Sequence, residues 1–168
     1  MTVSWLTATD NHTQFIMSLN HGRHTVSNLS KGAVFSLCPY TEANTSVALL
    51  VGGSSGKGVE GGKLASLGIP YTACGGKVEG FPALEGAPAH LLCTVLGTLQ
   101  SSDEGEGGHS PEEVGGGSLK GHIVFLCSIK EAWVDPAYWK EGKIFTALDP
   151  SSPKLVSFLG SKEFATIG

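Results

Sequence analysis

The chain has 168 residues, 40% hydrophobic and 15% charged, which suits one cored domain of the usual ~100–200 residues and excludes global disorder. Its net charge of −4 is uneven: Asp103, Glu104, Glu106, Glu112 and Glu113 stand together, and without them ten acids face eleven bases. With Arg23 the only arginine, the lysines dispersed and no apolar run longer than Val47 to Val51, nothing points to nucleic acid, a membrane span or a secretory leader, and the expectation is a soluble, cytoplasmic protein.

Strand and glycine signals dominate. Thr2 to Thr9 is rich in Thr, Val and Trp and reads as a strand. A turn at Asp10-Asn11-His12 leads into a second strand, Thr13 to Asn20, with Phe15, Met17 and Leu19 on one face. His24 to Lys31 reads as a short helix closed by Gly32, and Ala33 to Cys38 as a strand. Thr41 can cap a helix to about Val51. A Gly/Ser loop, Gly52 to Gly58, precedes one or two helical turns over Lys63 to Leu67. Ile69 to Cys74, Ala87 to Leu99 and His122 to Val134 read as strands. Residues 101–120 form a polar, glycine-rich acidic stretch, read as a flexible insertion without EF-hand spacing. Pro136 to Gly142 makes a turn or short helix, and Lys154 to Gly168 is a closing segment. The sum is a mainly β, Greek-key or closed-barrel domain with a few short helices.

Cys38, Cys74, Cys93 and Cys127 have no CxxC spacing and sit among apolar residues, so they read as reduced core cysteines. Gly56 to Gly61 matches GxGxxG, but a dinucleotide turn needs a long helix after it, and this one would end by Gly68. The P-loop pattern fails too, because Val51 and Gly58 stand at obligatory positions. The loop has two readings: an anion nest in which Ser54, Ser55, Lys57 and Lys63 add donors and charge, or a solvated linker. Ser18, Asn20, Arg23 and Thr25 make a second polar cluster, read as a phosphate-binding turn or as simple capping by Thr25 or Ser27. His90 and Cys93 fall on opposite faces of one strand, which suits no metal. His122 opens a strand and can face a cleft. No GxSxG, HExxH or paired-carboxylate pattern supports hydrolysis.

In order, these pieces resemble the flavin reductase-like, FMN-binding split-barrel family, which includes the flavoredoxins. Met1-Thr2-Val3-Ser4-Trp5 looks like its N-x-M-T-x-S-W strand start, and Asn20 to Thr25 its Arg-His-Thr turn. Ser55-Gly56-Lys57 with Lys63 is similar to its S-G-R-x-x-D-K loop. Gly80 to Cys93 resembles its G-x-P-x-L stretch, and Gly121-His122 its G-D-H strand. Gly62 replaces the Asp before Lys63, and Lys120-Gly121 lacks the Asp before His122. The family carries one or more strands ahead of this motif, so the chain reads either as starting at an internal methionine or as a barrel short of an edge.

The resemblance implies a single flavin reductase-like domain over 1–168 that forms a homodimer and binds FMN near the subunit interface. It implies that Thr2 and Ser4 meet the polar edge of the isoalloxazine, while Arg23, Thr25, Ser55 and Lys63 neutralise the phosphate. Ser18, Asn20, Ser54, Gly56 and Lys57 complete the implied binding set, Trp5 flanks the ring or fills the core, and His122 approaches a nicotinamide. The implied activity is hydride transfer from NAD(P)H to flavin N5, with electrons passed to free flavin or an acceptor protein. The rival readings are an FMN-binding electron carrier without NAD(P)H activity, and a non-enzymatic barrel that binds a partner.

Overall fold

The computed structural model describes residues 1–3, 5–73, 80–99, 121–141, 144–160 and 162–167. Ser4, Cys74 and the acidic stretch 101–120 lie outside them. The central element is a five-stranded antiparallel sheet of β1 (Leu6–Ala8), β2 (Gln14–Asn20), β3 (Val34–Leu37), β6 (Ala89–Leu99) and β7 (His122–Val134). Its order is β1-β2-β7-β6-β3. Thus β3, β6 and β7 are successive neighbours, while β2 returns beside β7, a Greek-key order.

Period-two patterning explains β2. Phe15, Met17 and Leu19 are buried and alternate with more open residues. They meet Cys93 and Val95 of β6 and Phe125 and Cys127 of β7 in the main core cluster. The β6–β7 ladder shifts register between Leu92 and Cys93 and again between Val95 and Gly97, where bulges bend the long pair.

Between β3 and β6 lie the elements that frame the cavities. They are α2 (Thr45–Gly53), α3 (Lys63–Ser66), β4 (Tyr71–Ala73) and β5 (Pro82–Leu84). Val51, Ile69 and Leu84 form a second buried cluster there. Beyond β7 come the short pair β8 (Trp139–Lys140) and β9 (Ile144–Phe145), then the hairpin β10 (Leu155–Gly160) with β11 (Glu163–Ile167).

Several expected boundaries move. The strand expected from Thr2 starts at Leu6, because Thr2 turns its hydroxyl to Ala48 of α2 instead of entering the ladder. The helix expected over His24 to Lys31 is one turn, α1 (His24–Ser27). Arg23 is its N-cap without a side-chain bond, and Ser27 bonds back to the His24 carbonyl at 2.7 Å, so neither Thr25 nor Ser27 caps it. Thr41 caps a 3-10 turn, Glu42–Asn44, through a capping box, and α2 then runs past Val51 to Gly53. The strand expected over Ile69 to Cys74 is Tyr71–Ala73 among the described residues. Pro136–Tyr138 is a 3-10 turn, and the closing segment is a true hairpin. No helix among the described residues is long and apolar enough to cross a membrane.

Candidate functional site

A cavity of about 810 Å³ opens where five stretches of the chain meet. The N-terminal segment brings Met1 and Thr2, and the β2–α1 turn brings Gly22 to Thr25. The end of α2 and its following loop bring Gly52 to Gly56, while Lys63 comes from α3. The β10–β11 hairpin closes the far side with Phe158, Lys162 and Phe164. The volume is within the ~300–1,000 Å³ of small-molecule sites.

The turn that presents Arg23 is built by Asn20, whose side-chain oxygen accepts from the Gly22 N–H at 2.9 Å. The Arg23 N–H donates to the Asn20 carbonyl at 3.1 Å. The side chains of Ser18 and Asn20 are not among those that line the cavity. On the opposite lip, Ser54 Oγ donates to the Leu50 carbonyl at 2.8 Å, and the Lys57 N–H donates to Ser55 Oγ at 3.2 Å. Lys63 Nζ reaches across and donates to the Ser54 carbonyl, which ties α3 to the loop. Lys57 itself is exposed and outside the wall.

Two glycines fit this geometry. A Cβ on Gly52 would stand 2.9 Å from Thr2 Oγ1, whose hydroxyl donates to the Ala48 carbonyl at 2.6 Å. A larger residue at 52 would push the N-terminal segment off α2. Gly62, which stands where the resemblance has Asp, has φ 86°, a conformation L side chains rarely adopt. The missing carboxylate thus coincides with a backbone that favours glycine.

The electrostatics are one-sided. Arg23, Lys63 and Lys162 line the cavity, and among the described residues no Asp or Glu does. Burial and the nearby Arg23 charge both push the Lys63 pKa below its usual value. An anionic group placed between them relieves that repulsion.

Of the residues singled out from sequence, Thr2, Arg23, Thr25, Ser54, Ser55, Gly56 and Lys63 converge on this cavity. Trp5 does not fill the core: it is 61% exposed and packs against His122, ring centroids 5.1 Å apart at 35°. Neither ring lines the cavity. His24, Phe158, Lys162 and Phe164 were not legible as site residues. His24 adjoins Arg23 in the turn, but the other three arrive from a hairpin some 130 residues on, and no local spacing encodes that approach.

The comparisons with known proteins agree with this architecture. The sequence profile described as "Flavin reductase like domain" matches residues 1–147. A search of curated proteins returned no match. Among solved structures, the chain is similar to a flavoredoxin from Methanosarcina acetivorans (TM-score 0.69, 17% identity, 99% of this chain and 75% of that one). It is also similar to the FMN-binding domain of a flavin reductases-like enzyme from Shewanella baltica (TM-score 0.70, 18% identity, 99% and 77%). A third is the NADH:FAD oxidoreductase of Streptomyces globisporus (TM-score 0.62, 16% identity, 100% and 77%). At these identities the structures speak for the split-barrel fold, and the profile, covering most of the chain, speaks for descent: the protein belongs to the flavin reductase-like family.

Proposed function

We propose that this chain binds FMN in the 810 Å³ cavity and acts as a flavin reductase-like oxidoreductase. The observation that carries the reading is the convergence of Arg23, Lys63 and Lys162 on one cavity with no carboxylate among the described residues of its wall. A phosphate monoester supplies the missing negative charge. The residues present fit the rest of FMN. Thr25 and Ser55 add hydroxyl donors, and Phe158 with Phe164 offers an apolar wall for a planar ring system. When bound, the flavin supplies the hydride and electron chemistry. The chain's own part is to hold the phosphate with Arg23 and Lys63, to keep the loop closed through the Lys63–Ser54 bond, and to exclude water with the hairpin.

In this reading NAD(P)H is the hydride donor, and free flavin or an acceptor protein takes the electrons. The working unit is a homodimer, with the exposed Leu49 and Leu50 of α2 beside the cavity as part of its contact. A second reading, an FMN-binding electron carrier without NAD(P)H activity, is favoured by the position of His122. It packs on Trp5 and is not among the residues that line the cavity.

Adding FMN to the purified protein tests both. Quenched flavin fluorescence with a raised melting temperature is expected, and the absence of both changes would sink the reading. Oxidation of NADH or NADPH by the loaded protein with a flavin acceptor then selects the reductase. A yellow protein inert to both nucleotides selects the carrier.

A further inference from the structure

Lys162 stands in a turn that a lysine fits poorly. The β10–β11 ladder ends with Gly160 opposite Glu163, and Lys162 lies in the link between them. Its φ is 70°, in the left-handed region, where the Cβ of an L residue crowds the following carbonyl oxygen and glycine is favoured. Glu141, with φ 54°, is the other non-glycine residue in that region among the described residues. The two differ in what they face. Glu141 is exposed and does not line the cavity. Lys162 is exposed as well, yet it lines the cavity together with Arg23 and Lys63. A glycine in its place would spare the strain but bring no charge, and strain kept at a site is a mark of function.

We propose that Lys162 is a specificity-determining residue of the flavin site: it draws in flavins that carry a phosphate in preference to uncharged ones, and the turn holds it there at a cost in stability. This role rests on the FMN reading above and divides the work among the cations of the site. The whole chain has a net charge of −4, which repels a phosphate dianion at long range. A cation at the mouth of the cavity reverses that field locally. An exposed rim charge acts chiefly on the rate of encounter and its salt dependence, while a desolvated contact acts on the rate of escape. Lys162 is the exposed case. Lys63 is the other: it is half-buried and bonded to the Ser54 carbonyl. Glu163, next in the chain, is exposed and is not among the lining residues, so among the described residues Lys162 is the charge that the hairpin puts in the wall.

The test uses the full chain and needs no electron donor. Binding of FMN, and of riboflavin, which lacks the phosphate, is followed by stopped-flow quenching of flavin fluorescence at low and high salt. Lys162→Gln removes the charge and keeps the backbone strain. It should slow FMN association by about threefold or more at low salt, leave dissociation within about twofold, and leave riboflavin association unchanged. At ~1 M salt, where screening acts within ~3 Å, the FMN difference should vanish. Lys162→Gly removes charge and strain together, so it should show the same slow association with a melting temperature higher by roughly 2–4 °C. Glu141→Gly relieves the same kind of strain away from the cavity, and should raise the melting temperature without slowing FMN. A parent that binds FMN no faster than folded Lys162→Gln overturns the steering role and leaves the FMN reading intact. Equal slowing for riboflavin overturns it too, because the shape of the hairpin would then be the cause. A melting temperature of Lys162→Gly at or below the parent's overturns the cost in stability. A parent that binds neither flavin sinks the FMN reading and this role with it.

Discussion

Lys63 and Arg23 are both cations in one small space, and each is costly to bring near the other. Lys63 carries the clearer mark, a pKa held down first by burial and then by Arg23. Such a pair is relieved by an anion, so each should contribute a charge-assisted bond to the FMN phosphate. Lys63→Ala and Arg23→Ala are each expected to weaken FMN binding by at least about tenfold, the low end of ~1.5–3 kcal/mol for a bond to a charged group. Isothermal titration checks this, and variants that bind like the parent would remove the phosphate from this position. The sign with pH follows from the same shift. Lys63 loses its proton below the ordinary 10.5, so the affinity falls as pH rises into a window that begins under that value. In Lys63→Ala that alkaline loss should shrink. His90 gives an independent signal in stability. Its folded pKa lies below the usual 6.5 because burial disfavours the charged ring. The unfolded chain therefore binds the proton more readily. Stability rises with pH through the window below 6.5 and falls on acidification through it. Urea melts of the parent and His90→Asn across that window should show a shallower slope in the variant.

At the scale of elements, the proposed FMN site gives the hairpin β10–β11 the ring and the β2–α1 turn and α2 loop the phosphate. Phe158 and Phe164 pack edge to face across it, centroids 5.4 Å apart at 61°, a geometry that makes a firm apolar wall. Phe158→Ala should therefore lower the affinity for FMN, which carries the ring, and leave that for inorganic phosphate within about twofold of the parent, in line with burial that tracks apolar area alone. Equal losses for both ligands would place the hairpin elsewhere than over the ring. This element also marks where the sequence could be read and where it could not. Phe15, Met17 and Leu19 alternate cleanly, and the structure buries all three. Such a two-residue period is local, so it survives without knowledge of partners. The hairpin strands carry apolar residues too, yet Leu159 and Ile167 are exposed and Phe164 is half-buried. A strand that covers a cavity rather than a core has no clean alternation to read. The contact of Cys38 Sγ with His90 Nδ1, at 3.2 Å, was hidden for a related reason. It depends on which strand lies beside β3, and fifty-two residues separate the two side chains.

Across the whole molecule, the sheet core and the cavity meet only at their margins: Met1 packs against the core cluster and also lines the cavity. Phe125, 1% exposed, sits in the core cluster among Met17, Cys93 and Cys127, and it does not line the cavity. The ordered set of short motifs was sufficient to suggest the family because pieces such as Asn20 to Thr25 and Ser55 to Lys57 lie at turns or loops, while Gly80 to Cys93 runs through β5 into β6. The cavity itself was only half legible, since Arg23, Ser55 and Lys63 sit in such turns while Phe158, Lys162 and Phe164 come from a covering strand pair. That separation makes a prediction about energetics. Phe125→Ala should cost ~3–5 kcal/mol for the lost side chain and the space it leaves, a large part of the ~5–15 kcal/mol that holds a domain together. FMN at about a hundred times its Kd should add ~2.7 kcal/mol to whichever chain it binds. Because Phe125 itself does not line the cavity, the terms should add to within ~0.5 kcal/mol. Urea melts of the parent and of Phe125→Ala, each with and without FMN, close the cycle. Equal ligand increments in the two chains mean that the cavity keeps its shape on a weakened sheet. A much smaller increment in Phe125→Ala would mean that the sheet core sets the spacing between the Arg23 turn and the Lys63 loop, and that binding at the rim is governed from the centre of the fold.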